Sequence, residues 1–212
     1  MKEKKRVFQV ISLLIFIILG IMSMGGSEGI LFDKAVLDFI HYDANKTLVK
    51  IMEFVSFIGS ETFLFPTMAM VIAYFIIKKK YYIATLLTTS SLGSYLLNHL
   101  LKQVFQRNRP FDYFLVEQSG LSYPSGHSMV TMTMFLTIGY LLLRIKKEDS
   151  YRLKINSFVG LYIGIMGISR LFLGVHWPTD VVGGFLAGYL FYKCYISMIK
   201  EEWFLNKRSQ RS

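Results

Sequence analysis

Six apolar runs, each close to the length of a membrane-spanning helix, dominate the chain and restrict how it can fold. A helix needs about 20 apolar residues to cross the hydrocarbon core of a bilayer. The composition agrees, since 53% of the 212 residues are hydrophobic. We therefore predict an all-α fold, a bundle of six transmembrane helices in one domain over residues 1–212. The runs extend over Val7 to about Met24, the later part of Val55–Ile77, Tyr81 to about Leu101, Ser125–Leu143, Ile155 to about Leu171 and about Pro178 to Met198.

The first run has a second interpretation, as the core of a cleaved signal peptide. Ser23 and Gly25 have the small side chains that a cleavage site requires. The apolar run is longer than the roughly 7–15 residues of a usual signal core, which favours an uncleaved helix.

The segment Gly25–Phe54, between the first two runs, mixes charged and apolar residues. Its apolar positions recur at helical spacing, which predicts a short amphipathic helix at the membrane interface. We expect His41 in this segment to be a solvated surface histidine. The apolar positions are Val36, Leu37, Ile40, Leu48, Ile51 and Met52.

Basic clusters between the runs predict how the chain is oriented in the membrane. With six alternating spans all four clusters fall on one side, which the positive-inside rule assigns to the cytoplasm. Both termini are then cytoplasmic, and the loops before spans two, four and six face outward. The clusters are Lys2–Arg6, Lys78–Lys80, Arg144–Lys154 and Lys200–Arg211.

The net charge of +10 does not indicate nucleic acid, because a nucleic-acid-binding protein concentrates its basic residues on one soluble face. The partners that this distribution indicates are the lipid bilayer and a membrane substrate. The glycines of spans five and six serve packing within the chain as readily as contacts between copies. They therefore specify no oligomeric state.

Four cations lie on the outward face, where the positive-inside rule leaves positive charge scarce. Guanidinium groups offer a planar fork of donors suited to phosphate oxygens, and lysine adds a point charge. Alternatively these side chains bind lipid headgroups without specificity or pair with Asp112 and Glu117, the interpretation that we favour for Arg107. The cations are Lys102, Arg107, Arg109 and Arg170.

Pro124-Ser-Gly-His127 immediately precedes the fourth apolar run. Serine is a strong helix N-cap, and glycine lets backbone N–H groups approach a ligand closely. A helix N-terminus attracts anions through its unpaired N–H groups and its dipole. The alternative is an ordinary capped helix start with a histidine in its first turn.

His176 and Asp180 lie four residues apart around Pro178, near the start of the sixth run. A carboxylate one turn away can accept the proton of one imidazole nitrogen, which leaves the other nitrogen free as a nucleophile. The alternative is a capping aspartate beside an interfacial histidine.

Taken together, three stretches resemble the three-part signature of the type 2 phosphatidic acid phosphatases, with every motif position matched in order. They are Lys102-x6-Arg109-Pro110, Pro124-Ser-Gly-His127 and Ser169-Arg170-x5-His176-x3-Asp180. The motifs span Lys102 to Asp180, and the six-helix arrangement extends the resemblance over nearly the whole chain.

The resemblance implies a role for each motif residue. His176 attacks phosphorus and forms a phosphohistidine, and Asp180 orients and activates it. His127 protonates the leaving alkoxide and then activates water. The phosphate oxygens are held by Lys102, Arg109, Arg170, the Ser125 hydroxyl and the Gly126 backbone N–H.

The expected activity is metal-independent hydrolysis of a membrane lipid phosphate at the extracytoplasmic face. Phosphatidylglycerophosphate and undecaprenyl diphosphate are the leading substrates, and phosphatidate also fits. No metal or other cofactor is implied, because the histidines have acid–base and nucleophilic roles and no carboxylate cluster is available for Mg²⁺. Two alternatives are a vanadium-dependent haloperoxidase, whose site resembles this signature, and a non-catalytic anion channel or transporter.

Overall fold

The computed structural model describes residues 2–24, 29–41, 45–145 and 149–209, and every regular element within them is helical. The predicted all-α class is confirmed. Gly25 of the suggested cleavage site, Asp43, and parts of the last two basic clusters lie outside the described residues. The helices are α1 (Lys2–Ser23), α2 (Leu31–His41), α3 (Lys46–Ile58), α4 (Glu61–Ile77), α5 (Tyr81–Thr88), α6 (Ser94–Phe105), α7 (Gly126–Ile145), α8 (Asp149–Phe172) and α9 (Pro178–Ser209).

Five helical stretches are long and apolar enough to cross a membrane, which supports a multi-pass protein. The predicted third span is also helical, but α5 and α6 are joined by a five-residue π-helix, so it is not one continuous α-helix. The count of six spans therefore stays a prediction. The five stretches are Arg6–Ser23, Lys46–Ile77, Gly126–Ile145, Asp149–Phe172 and Pro178–Ile199.

Serine side chains accompany the π-helix, Thr89–Gly93. The hydroxyls of Ser90 and Ser91 both donate to the Leu87 carbonyl, at 3.0 and 2.7 Å. Ser94 donates to the Ser90 carbonyl at 2.6 Å. Such hydroxyl-to-carbonyl bonds satisfy backbone groups where the regular helical ladder is interrupted. They allow a polar, irregular turn to lie inside an apolar segment.

Helix α7 packs closely against α9, because two glycines of α9 face it. A β-carbon at Gly184 would lie 2.6 Å from the Ser125 carbonyl oxygen, and one at Gly188 would lie 2.5 Å from that of Met129. Gly184 and Gly188 of the sixth run therefore serve packing within the chain. In the fifth run, a β-carbon added at Gly160 would have no neighbouring atom within 4 Å.

Helix α2 is attached to the bundle by one buried face. Leu37 and Asp33 are fully buried, whereas Phe39 on the opposite side is exposed. The expectation of a solvated His41 is wrong, because its Nδ1 lies 2.8 Å from the Leu37 carbonyl oxygen and its Nε2 is buried. The position of α2 at the membrane interface stays a prediction.

Candidate active site

A cavity of about 570 Å³ lies between α4, α6, α7, the end of α8 and the loop between α6 and α7. Six of the eight predicted site residues line it. Ser125 and Asp180 lie behind its wall. The six lining residues are Lys102, Arg109, Gly126, His127, Arg170 and His176.

A tight turn after α8 brings Arg170 and His176 to the same cavity. Gly174 has a φ of +69°, and a β-carbon there would lie 1.8 Å from the Tyr113 carbonyl oxygen, so only glycine fits. The Val175 N–H donates to the Arg170 carbonyl at 3.2 Å and closes the turn. The glycine between two motif residues therefore determines their relative position.

Arg109 is held beside the imidazole of His176. Its Nε donates to the Gly120 carbonyl at 2.9 Å and its Nη1 to the Val175 carbonyl at 2.7 Å. Nη1 also lies 3.2 Å from His176 Nε2. Burial lowers the pKa of Arg109 to about 10. The guanidinium is therefore charged at neutral pH and lies next to the nitrogen that would attack phosphorus.

Lys102 lies in the last turn of α6 and lines the cavity. Its Nζ donates to the carbonyls of Leu121 and Ser122, the latter at 3.4 Å. Burial, together with the neighbouring charge of Arg109, lowers the pKa of Lys102 to about 7. A phosphate in the cavity would stabilise the protonated ammonium. Lysine charge and anion binding are therefore coupled in this site.

Arg170, in the last turn of α8, is almost completely buried. Its Nη1 donates to the Ser56 hydroxyl and its Nη2 to Gln118 Oε1 at 3.0 Å. Neither partner was predicted, because Ser56 lies in an apolar helix and Gln118 belongs to none of the three motifs. Both side chains orient a guanidinium that lines the cavity.

His176 contacts Asp180 as predicted, and Ser122 joins the pair. His176 Nδ1 lies 3.3 Å from Asp180 Oδ2 and 3.2 Å from Ser122 Oγ, whose hydroxyl donates to the same carboxylate. Burial and the charge of Arg109 hold the pKa of His176 well below its ordinary value. The imidazole is therefore neutral at neutral pH. Its contact with Asp180 is a hydrogen bond from Nδ1–H, so Nε2 carries no proton and can accept from Arg109 Nη1.

Arg107 corrects the sequence interpretation. It does not pair with Asp112 or Glu117; it is 1% exposed and joins two buried carboxylates. Its Nη2 lies 2.6 Å from Asp33 Oδ2 and its Nη1 2.8 Å from Asp180 Oδ1. Both carboxylates come from segments that are distant from Arg107 in sequence.

The Ser125 hydroxyl faces its own helix. It accepts hydrogen bonds from the N–H and the hydroxyl of Ser128, at 3.4 and 3.0 Å. The former contact is that of an N-cap, as the motif predicted. A direct bond from Ser125 to phosphate stays a prediction, and Ser125 is not among the residues that line the cavity. Gly126 lines the cavity, and a β-carbon there would lie 3.0 Å from Asn98 Oδ1.

His127 lies in the first turn of α7 and lines the cavity. Its Nε2 is buried and has no hydrogen-bond partner among the described residues. Glu61 lines the same cavity and accepts a hydrogen bond of 3.0 Å from the Tyr95 hydroxyl. The cavity lining thus combines three cations, one carboxylate and three imidazoles, those of His99, His127 and His176.

Comparisons with known proteins identify a family. The sequence profile of the PAP2 superfamily matches residues 81–204, which include all eight predicted site residues. Phosphatidylglycerophosphatase B of Bacillus subtilis (strain 168) is 32% identical over 146 residues, covering 68% of this chain and 72% of that protein. Undecaprenyl-diphosphatase of Sulfolobus acidocaldarius is 32% identical over 186 residues, covering 84% of each chain.

A solved structure agrees with the sequence matches. It is the crystal structure of a transmembrane PAP2-type phosphatidylglycerolphosphate phosphatase from Bacillus subtilis, which is 28% identical to this chain. The match covers 91% of this chain and 96% of that chain, with a TM-score of 0.81. The sequence profile, the relatives and the shared helical fold show that this chain belongs to the PAP2 superfamily.

Proposed function

We propose that the chain is an integral-membrane lipid phosphate phosphatase that works through a phosphohistidine intermediate. The observation that carries the proposal is the position of Arg109 Nη1, 3.2 Å from Nε2 of His176 in a cavity also lined by Lys102 and Arg170. A phosphate held by these cations has its phosphorus next to a neutral imidazole nitrogen. Superfamily membership and the hydrolase names of the relatives support the same activity.

The first half-reaction transfers the phosphoryl group to the protein. Nε2 of His176 forms a bond to phosphorus while the bond to the leaving oxygen breaks, and His127 donates a proton to that oxygen. The Nδ1 proton stays on the ring, where Asp180 stabilises the positive charge that develops. Fixed cations around the equatorial oxygens stabilise the transition state without reorganisation.

The second half-reaction releases phosphate. His127, now the base, takes a proton from a water molecule, whose oxygen attacks phosphorus as the bond to His176 Nε2 breaks. Inorganic phosphate leaves and both imidazoles return to their starting protonation states. The two histidines thus alternate in roles that one group could not fill.

The substrate is a lipid whose phosphate enters the cavity while its tail stays in the bilayer. Leu64, Phe65 and Val130 form an apolar part of the same cavity wall, which suits the carbon chain next to the phosphate. The names of the relatives make phosphatidylglycerophosphate and undecaprenyl diphosphate the first candidates. The basic clusters support six spans with cytoplasmic termini and a cavity that opens to the extracytoplasmic face.

Phosphate release by the purified protein tests the activity. The panel contains phosphatidylglycerophosphate, undecaprenyl diphosphate, phosphatidate and a short-chain phosphate. His176→Ala should abolish turnover and the trapping of labelled phosphate on the protein, whereas His41→Ala, outside the cavity, should retain both. Turnover by His176→Ala, or a wild-type protein inactive on every lipid, would contradict the proposal.

Labelling of single cysteines tests the orientation in a Cys194→Ser background. A membrane-impermeant maleimide should label Ser119→Cys at the cavity in intact cells, and Lys79→Cys only after permeabilisation. The reverse pattern would place the cavity on the cytoplasmic side.

A further inference from the structure

The buried carboxylate behind the nucleophile is itself bound to an ion pair that reaches α2. Asp180 Oδ1 contacts Arg107 Nη1 at 2.8 Å, and Arg107 Nη2 contacts Asp33 Oδ2 at 2.6 Å. Asp33 and Asp180 are 0% exposed and Arg107 is 1% exposed. A chain of contacts thus leads from α2 through the α6–α7 loop to the side chain that orients His176.

Further contacts hold this chain in one geometry. Asp33 Oδ1 accepts the Thr179 N–H at 2.9 Å, so α2 caps the first turn of α9. The Thr179 hydroxyl donates to Asp33 Oδ2 at 2.9 Å and lies 2.6 Å from Arg107 Nη1. The guanidinium also lies over the Trp177 ring, 5.4 Å from the ring centre. The residues that flank His176 and Asp180 are thereby fixed to α2.

The charges of the network matter for the reaction. Two carboxylates and one guanidinium sum to one net negative charge beside a neutral His176. Attack by Nε2 makes the imidazole ring positive, and the network then becomes neutral overall. Buried charges interact more strongly than exposed ones. Each carboxylate therefore favours the positive state of the nucleophile, and the guanidinium opposes it.

We propose that Asp33 and Arg107 are positioning residues that act through Asp180 to set the basicity of His176. This inference rests on the proposed function, because it assigns a role within that reaction. Neither residue touches the cavity wall, so neither is expected to contact the substrate.

The acid limb of the pH profile of kcat/KM reports protonation of His176 in the free enzyme. The charged groups that face its imidazole are Arg109 and Asp180 in direct contact, and Lys102, Arg170 and His127 further away. None of them changes in the variants below. A moved acid limb therefore reports the altered network.

Three variants change the net charge in known steps. Asp33→Asn removes one negative charge and should move the acid limb to lower pH by about one unit. Arg107→Gln removes the positive charge and should move it to higher pH by about as much. The double variant restores the original net charge, so its acid limb should return to the wild-type position.

Asp38→Asn is the matched control, because Asp38 lies on the same helix but its carboxylate is exposed and accepts from the Tyr113 hydroxyl. Its acid limb should not move. Limb positions do not depend on how much of each variant is folded, so they separate this role from a purely structural one. Unmoved limbs in both single variants, or shifts of the same sign, would overturn the inference. Wild-type protein inactive on every lipid phosphate would instead contradict the proposed function.

Discussion

At the scale of single residues, the cavity holds three cations close together without a matching number of carboxylates. Burial and repulsion from Arg109 lower the pKa of Lys102 to about 7. Burial lowers the pKa of Arg109 to about 10. Such an arrangement is costly until an anion enters, because uncompensated buried charge is unfavourable. The site is therefore organised for a phosphate.

The alkaline limb of kcat/KM should depend on two groups that must be protonated, His127 as the general acid and Lys102 as a phosphate ligand. The lowered pKa of Lys102 means that the ammonium is charged below about pH 7 and loses its proton above it, so phosphate capture should weaken as pH rises. Lys102→Arg should keep the charge and move the limb upward. Glu61→Gln should move it downward, because the Glu61 carboxylate raises the pKa of Lys102. Profiles with unchanged alkaline limbs in both variants would contradict this assignment.

Arg170→Ala should lower kcat by about 10²–10³, the usual cost of losing one donor from a preorganised oxyanion site. Ser56→Ala removes only a hydroxyl that orients the guanidinium, so its loss should be smaller. Steady-state kinetics on the preferred lipid would measure both. Equal losses in the two variants would indicate that Ser56 itself holds the phosphate.

At the scale of elements, α7 and α9 form the rigid frame that presents the motifs. His127 begins one helix and Asp180 the other, and the Ser125 N–H donates to the Asp180 carbonyl at 3.0 Å. The glycines of α9 permit this approach, since any larger side chain would meet backbone atoms of α7. The precision of the site thus depends on helix packing as well as on motif residues.

Gly184→Ala should therefore destabilise the protein by about 1–3 kcal/mol, the usual cost of overpacking a well-packed contact. Its new β-carbon would lie 2.6 Å from a backbone oxygen, which cannot move aside easily. Gly160→Ala is the matched control, because nothing lies within 4 Å of its β-carbon. Thermal unfolding in detergent would compare them, and equal midpoints would argue against the close α7–α9 contact.

At the scale of the whole molecule, the apolar outer surface and the polar cavity both suit a lipid phosphate substrate. Large hydrophobic side chains remain exposed along the helices, for example Leu96, Leu100 and Val104 on α6. Such surface is expected where lipid is the solvent. The buried charged side chains of the described residues, by contrast, are gathered at one cavity and its supporting network.

Hydrolysis should persist when divalent metal ions are removed. Among the described residues, no three His, Cys, Asp or Glu side chains are grouped as metal ligands would be. In the proposed mechanism the cationic side chains of the cavity supply the positive charge that stabilises the transition state. Phosphate release measured with and without a chelator checks this. Activity that disappears with the chelator and returns only with added Mg²⁺ would contradict a metal-free mechanism.

The sequence by itself determined the helical class, the apolar runs and six of the residues that line the cavity. Those features can be predicted from local patterns, namely run length, basic clusters and motif spacing, because each pattern reflects a single helix or turn. The amphipathic character of Gly25–Phe54 was also readable, and helices α2 and α3 lie within it or extend just beyond it.

Only the tertiary structure decided which side chains support the site. Asp33 meets Thr179 across 146 positions of sequence, and Ser56 meets Arg170 across 114. Such partners depend on how helices pack, and neither residue belongs to a motif. Arg107 differs from Arg109 by two positions, yet one joins buried carboxylates and the other lines the cavity. The charge of each side chain follows from its residue type. The groups that surround each charge are determined only by how distant segments pack together.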